Sequence, residues 1–126
     1  MKTDLIEIFQ TIRASMQPYA TLGFDNRSNS EQLYDLWSNK NVEIEGSSRN
    51  EVFFTSVEIK DSYVTVSLFP QDQKNHLQEI ASPEILQLQN NESDFKIDRL
   101  DDQSLAQIED AIAAAYKVYK DKGWVV

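Results

Sequence analysis

Few side chains in this chain are equipped for chemistry. Its one histidine is His76. An imidazole is the side chain best suited to proton transfer or metal ligation near neutral pH. His76, however, sits in the polar run Gln73-Lys74-Asn75-His76 with no second ligand beside it. One imidazole without a partner rarely makes a site, and the run reads as an exposed stretch of a short helix. A serine nucleophile would need a base and an oxyanion site. There is no Gly-x-Ser-x-Gly elbow, and the lone histidine would have to serve as base. With three glycines in the whole chain, neither a phosphate loop nor a dinucleotide fingerprint occurs. The absence of cysteine excludes thiolate catalysis, disulfides, iron–sulfur clusters and cysteine-ligated zinc.

Carboxylates are more plentiful, and paired acids can hold a hard cation through oxygen. Asp101-Asp102 stands where a helix begins and reads as capping and dipole complement. Glu109-Asp110 falls on the polar face of the same helix. Glu43 and Glu45 share one strand face, about 7 Å apart by strand rise, and could join Glu58 in a small acidic patch. The ordinary alternative is a charged sheet face opposite a buried one. Aromatics offer another surface. If Trp37, Phe54 and Tyr63 face away from the helices, they form a patch for a partner chain or small ligand. If they face the helices, they are core.

The elements that must position these groups are legible in the hydrophobic pattern. Asp4 to Met16 reads as a helix with an apolar stripe of Leu5, Phe9, Ile12 and Met16, capped by Thr3 or Asp4, with Asp4-x-x-Glu7 resembling a capping box, and stopped by Pro18. Thr21 to Asp25 is a short strand, and 26–30 a turn. Leu33 to Trp37 fits a strand or a helical turn, with strand preferred, and Val42 to Glu45 reads as a strand. Gly46 to Asn50 reads as a loop. Glu51 to Ile59 alternates strongly, with Phe53, Thr55, Val57 and Ile59 on one face. After the turn Lys60-Asp61-Ser62, Tyr63 to Phe69 places Val64, Val66 and Leu68 on one face, which is a hairpin signal. Asn75 to Ala81 and Pro83 to Gln89 read as two short helices. A last strand carries Phe95 and Ile97. The closing helix bears the stripe Leu105, Ile108, Ile112, Ala115 or Tyr116, and Tyr119. Gly123 stops it and Trp124 folds back on the last turn. The order predicts one α+β domain over residues 1–126. It is a two-layer sandwich, an antiparallel sheet of about five to six strands with the N- and C-terminal helices packed on one face.

Composition bounds the function. A net charge of −9, from 21 acidic and 12 basic residues, repels phosphate backbones and argues against nucleic-acid binding. Lys117, Lys120 and Lys122 cluster at a helix end, where cations complement the dipole. No run of about 18 apolar residues exists to span a membrane. The start, Met1-Lys2-Thr3-Asp4, does not read as a signal peptide, so a cytoplasmic setting is expected.

In three places the chain resembles the YdhG-like family, bacterial domains of unknown function. One is the hairpin from Asn50 to Pro70, whose second strand ends in Phe69-Pro70. Another is the helical connection from Asn75 to Gln89. The third is Phe95-Lys96-Ile97-Asp98-Arg99-Leu100-Asp101, followed at once by the long helix. The family's early Gly-Met-Pro turn is absent, Leu22-Gly23-Phe24 being the nearest counterpart. The resemblance implies a frataxin-like sheet flanked by terminal helices. It also implies a weak iron-carrier role, in which carboxylates of the first helix and strand, here Asp4, Glu7 and Asp25, would hold the metal.

The poverty of catalytic groups makes a non-enzymatic binding or interaction domain the leading expectation. It would need no cofactor, and Trp37, Phe54 and Tyr63 would meet a small ligand, a protein or a second copy in a homodimer. The iron carrier, with iron weakly bound, is the alternative.

Overall fold

The structure, a computed structural model, describes residues 3–44, 46–69 and 94–125. The expected helices at 75–89, His76 and Glu45 lie outside the described residues.

Helix α1 spans Leu5–Met16. Asp4 Oδ1 accepts from the backbone N–H groups of Ile6 at 2.8 Å and Glu7 at 3.3 Å, satisfying two donors that have no partner inside the helix. The helix buries Ile8, Phe9, Ile12 and Met16, while Leu5 is only half-buried. Pro18 does not end the helical path outright. It sits early in a 3₁₀ turn, Gln17–Thr21, where its fixed φ fits and its missing N–H costs nothing. The expected strand at 21–25 therefore shrinks to β1, Phe24–Asp25.

The main sheet contains β1, β2 (Leu33–Ser38), β5 (Val52–Ile59), β6 (Val64–Leu68) and β7 (Asp94–Ile97), in the spatial order β1-β2-β5-β6-β7. Every neighbouring pair is antiparallel. Between β2 and β5 the chain makes a ribbon of its own, β3 (Val42–Ile44) paired with β4 (Ser47–Arg49). The 46–50 stretch is thus half strand, where sequence alone suggests a loop. Gly46 turns the ribbon with a φ of +83°, a conformation that other residues adopt at a cost.

Strict alternation fails in β5, and the reason is a bulge. Trp37 pairs with Phe53 and Leu36 with Thr55, so Phe54 is the extra residue. Val52 and Phe54 face the helices before the bulge, and Thr55 and Val57 face them after it. Phe53, expected on the face of Thr55 and Val57, turns to the other one. The bulge leaves Phe54 and Thr55 both fully buried. Thr55 satisfies its hydroxyl by donating to the Ser67 carbonyl at 2.8 Å.

Helix α2 spans Asp102–Asp121, and Asp101 caps it by accepting from the Ser104 N–H at 2.7 Å. It buries Ile108, Ala111, Ile112, Ala115 and Tyr119. Its end is a Schellman arrangement. Gly123, at φ +73°, donates to the Lys120 carbonyl, and Trp124 donates to the Tyr119 carbonyl at 2.8 Å. The Trp124 ring then packs edge-on against Tyr119, with centroids 5.1 Å apart. Ser38, wholly buried, ties β2 to this tail by donating from Oγ to the Trp124 carbonyl at 2.6 Å. Both helices contribute to one core with the sheet, which includes Phe9, Ile12, Phe54, Val66, Ile112 and Tyr119. The expected α+β class with terminal helices is met, with five strands in the sheet. No described helix is long and apolar enough to cross a membrane.

The edge of β2 beside the two-residue β1 is covered by residues 26–30. Asn26 Nδ2 donates to the Asp35 and Ser28 carbonyls, each at 2.8 Å. The Asp35 N–H donates back to the Ser28 carbonyl at 3.2 Å, and the Ser30 N–H to the Leu33 carbonyl at 3.0 Å. The Asp35 carboxylate accepts from the N–H groups of Arg27 and Ser28, at 3.0 and 2.8 Å, and fixes the loop from the other side.

Candidate functional site

The aromatic trio is not one surface. Phe54 is core: it stacks on Phe24 at 4.2 Å and 9°, and meets Tyr119 edge-on at 5.1 Å. The bulge directs it inward, so Phe54, expected as part of a surface patch, belongs to the core. Trp37 and Tyr63 are half-buried. Trp37 packs against Phe53 at 5.2 Å with the Arg27 guanidinium 4.7 Å from its ring. Arg27 also reaches Glu51 at 2.5 Å and the Asn39 amide oxygen at 2.7 Å. Tyr63 lies under Lys96, whose Nζ is 4.9 Å from the ring centroid. Each aromatic serves its own local cluster.

The carboxylates are dispersed in the same way. Asp4 is spent on capping α1, Glu7 is exposed one turn along, and Asp25 lies beyond the helix and the 3₁₀ turn, 3.9 Å from Arg27. Among the described residues no group of three His, Cys, Asp or Glu side chains is placed to hold a metal ion. Glu43 belongs to the separate ribbon, and Glu58 pairs with Lys60 at 2.9 Å. Glu109 accepts from Ser15 Oγ at 3.0 Å and links the two helices. Replacing Asp4 with Ala is expected to lower stability by about 1 kcal/mol, the usual worth of a helix cap. Urea unfolding measures that loss. An anaerobic iron(II) titration followed by amide resonances should show no shared site at Asp4, Glu7 and Asp25. Broadening confined to those three, abolished by Asp4→Ala, would make the residue a ligand rather than a cap.

What the fold does assemble is a groove of about 680 Å³ between α1 and two turns of the sheet. Helical periodicity puts Leu5, Ile6, Phe9, Gln10 and Arg13 along one wall, at spacings that share a helix face. Glu31 and Gln32, just before β2, and Ile59, Lys60 and Asp61, at the β5–β6 turn, form the other. The last three residues, with Gln32 and Tyr63, also line a smaller depression of about 350 Å³. The groove thus has an apolar interior of Leu5, Ile6, Phe9 and Ile59 with amides and both signs of charge around it. Ile6 is 59% exposed, whereas Phe9 beside it is buried.

Arg13 is the electrostatic feature of this groove. It is half-buried, and its guanidinium carbon lies 5.4 Å from the centroid of the Phe9 ring. No hydrogen-bond acceptor or carboxylate pairs with its side chain among the described residues. The sequence explains why: positions 9, 10, 16 and 17, its neighbours on the helix surface, are Phe, Gln, Met and Gln. Burial pushes the nearby Tyr34 hydroxyl above its ordinary pKa, and the Arg13 charge works against that rise.

No continuous stretch of the sequence encodes this groove. Its one linear signal is Ile6, an apolar residue off the Leu5-Phe9-Ile12-Met16 stripe, which the core does not need. The opposite wall comes from two turns far apart in the chain. No family model, curated protein or solved structure matches the chain.

Proposed function

We propose that this chain is a non-enzymatic binding domain whose working surface is the groove along α1. The observation that carries the reading is Ile6, a large apolar side chain left mostly in water on the wall of a concavity that also holds Phe9 and Ile59. An exposed apolar side chain alone is ordinary. One that lines a groove in the volume range of small-molecule sites, with a few polar groups around it, is the usual form of a ligand site. The groove's side chains offer hydrogen bonds, charge and apolar contact, the chemistry of holding a molecule. A cytosolic setting, without cysteine and with a strongly acidic balance, belongs to the same reading.

The test is a titration of labelled protein with small neutral apolar probes, indole and 4-phenylbutan-1-ol, read by amide resonances. Shifts should concentrate at residues 5–13 and 59–61. Replacing Ile6 with Ser removes contact area without touching the core, so it should weaken binding several-fold while leaving the unfolding midpoint nearly unchanged. Shifts centred on Trp37 and Phe53 instead would move the binding surface to the outer sheet face and end this assignment.

A further inference from the structure

We infer that the groove takes a small amphiphile carrying a single negative charge, its apolar body on Ile6 and Ile59 and its anionic group on Arg13. The inference rests on the binding role proposed for the groove and names the class of its ligand. A guanidinium presents five donors in a rigid fork that matches a carboxylate, and it stacks readily on aromatic faces. At Arg13 the stacking half of this is already made, with Phe9 at 5.4 Å, while the fork has no partner among the described residues. Half-burying a cation in that state costs solvation that an incoming anion would repay. Such an arrangement is unexpected in a chain where acids outnumber bases 21 to 12.

The charge balance selects the size and valence of the ligand. A second copy of this chain brings another nine net negative charges, and an acidic peptide several, so both are repelled as they approach. A monoanion meets the least repulsion. On the wall opposite α1, Glu31 and Asp61 outweigh Lys60, which Glu58 already holds at 2.9 Å, and so work against any second negative charge on the ligand. A volume of about 680 Å³ is suited to a molecule rather than to a folded partner.

The test uses a matched pair on the full chain: 4-phenylbutyrate and the neutral 4-phenylbutan-1-ol. Amide shifts report both affinity and place. The carboxylate is expected to bind at residues 5–13 and 59–61 at least ten times more tightly than the alcohol at low salt, and to lose most of that margin at high salt. Arg13→Gln should bring the two ligands to parity with little change in the alcohol. Arg13→Lys keeps the charge but not the fork, and should restore part of the margin. Equal affinities in the native protein, or a margin that survives Arg13→Gln, would overturn the inference and leave the groove's binding role standing. The alcohol failing to shift the groove while the carboxylate does so would support the inference more strongly still. Neither ligand acting there would overturn both. Groove resonances that move on dilution without ligand would assign the site to a second copy and overturn the monoanion.

Discussion

Phe54→Ala is expected to cost about 3–5 kcal/mol, the usual loss when a buried aromatic is cut back to a methyl group. That is a large share of the 5–15 kcal/mol typical of a domain. The ring is fully buried and central to an aromatic group. Phe24 stacks on it, Tyr119 meets it edge-on, and Tyr19 lies 5.7 Å away. Its carbonyl also accepts from the Phe69 N–H at 3.1 Å, so a collapse at this position reaches the end of β6. The matched control is Phe53→Ala. Phe53 is half-buried on the opposite face, and truncating it should cost less than half as much. Urea midpoints for the two variants, with unchanged slopes, decide the matter. Strict strand alternation predicts the reverse ranking, so a larger loss at Phe53 would refute the bulge.

Tyr119→Phe probes the same region through its polar end. The Tyr119 hydroxyl donates to the Phe53 carbonyl, a group next to the bulge. Losing that donor leaves a carbonyl without its partner, at an expected cost of about 1–3 kcal/mol near neutral pH. The larger signature is in the pH dependence. Burial raises the Tyr119 pKa well above 10, with Arg49 pulling the other way. Below the pKa of the unfolded chain, tyrosine is protonated in both states and the stabilisation is complete. Above about pH 10 the unfolded chain releases this proton while the folded protein retains it. Stability then falls by up to about 1.4 kcal/mol per pH unit for this one group. Tyr19 and Tyr34, also raised by burial, steepen the fall in both proteins. The variant should therefore start lower at pH 7 and decline less steeply in alkali, so that the two curves converge. Parallel curves would mean that Tyr119 does not titrate in the unfolding transition.

The parts legible in the sequence were those in which one segment decides its own structure. The α2 stripe, a cap at Asp101 or Asp102 and the Gly123 stop are local arrangements of a few residues, and they appear in the structure, with Asp101 as the cap. So does α1, with Asp4 rather than Thr3 as its cap. The errors came where a distant partner decides. β4 contains two serines and an arginine, poor strand formers, and is a strand because β3 supplies its hydrogen-bond partners. The bulge at Phe54 is set by the register against β2, so a period of two read along β5 alone carries Phe53 to the wrong face. The groove combines a helix with two turns separated from it by some 20 and 50 positions of sequence, and no local pattern announces such a meeting. The aromatic surface failed for the same reason: composition placed three rings on one sheet, and register divided them.

The loop over the β2 edge has a consequence for how this protein can polymerise. A sheet edge recruits strands because its amide and carbonyl groups are unspent. Here an asparagine side chain fills the place of a neighbouring backbone, with Asn26 holding the Asp35 carbonyl and Ser28 and Ser30 occupying the groups on either side. A chain arriving from that direction finds a terminated ladder, and fibre growth there would first have to strip the loop away. Asn26 therefore acts as a chain stopper for cross-β growth, together with the Ser30 backbone and with Ser28, which the Asp35 carboxylate holds against the edge.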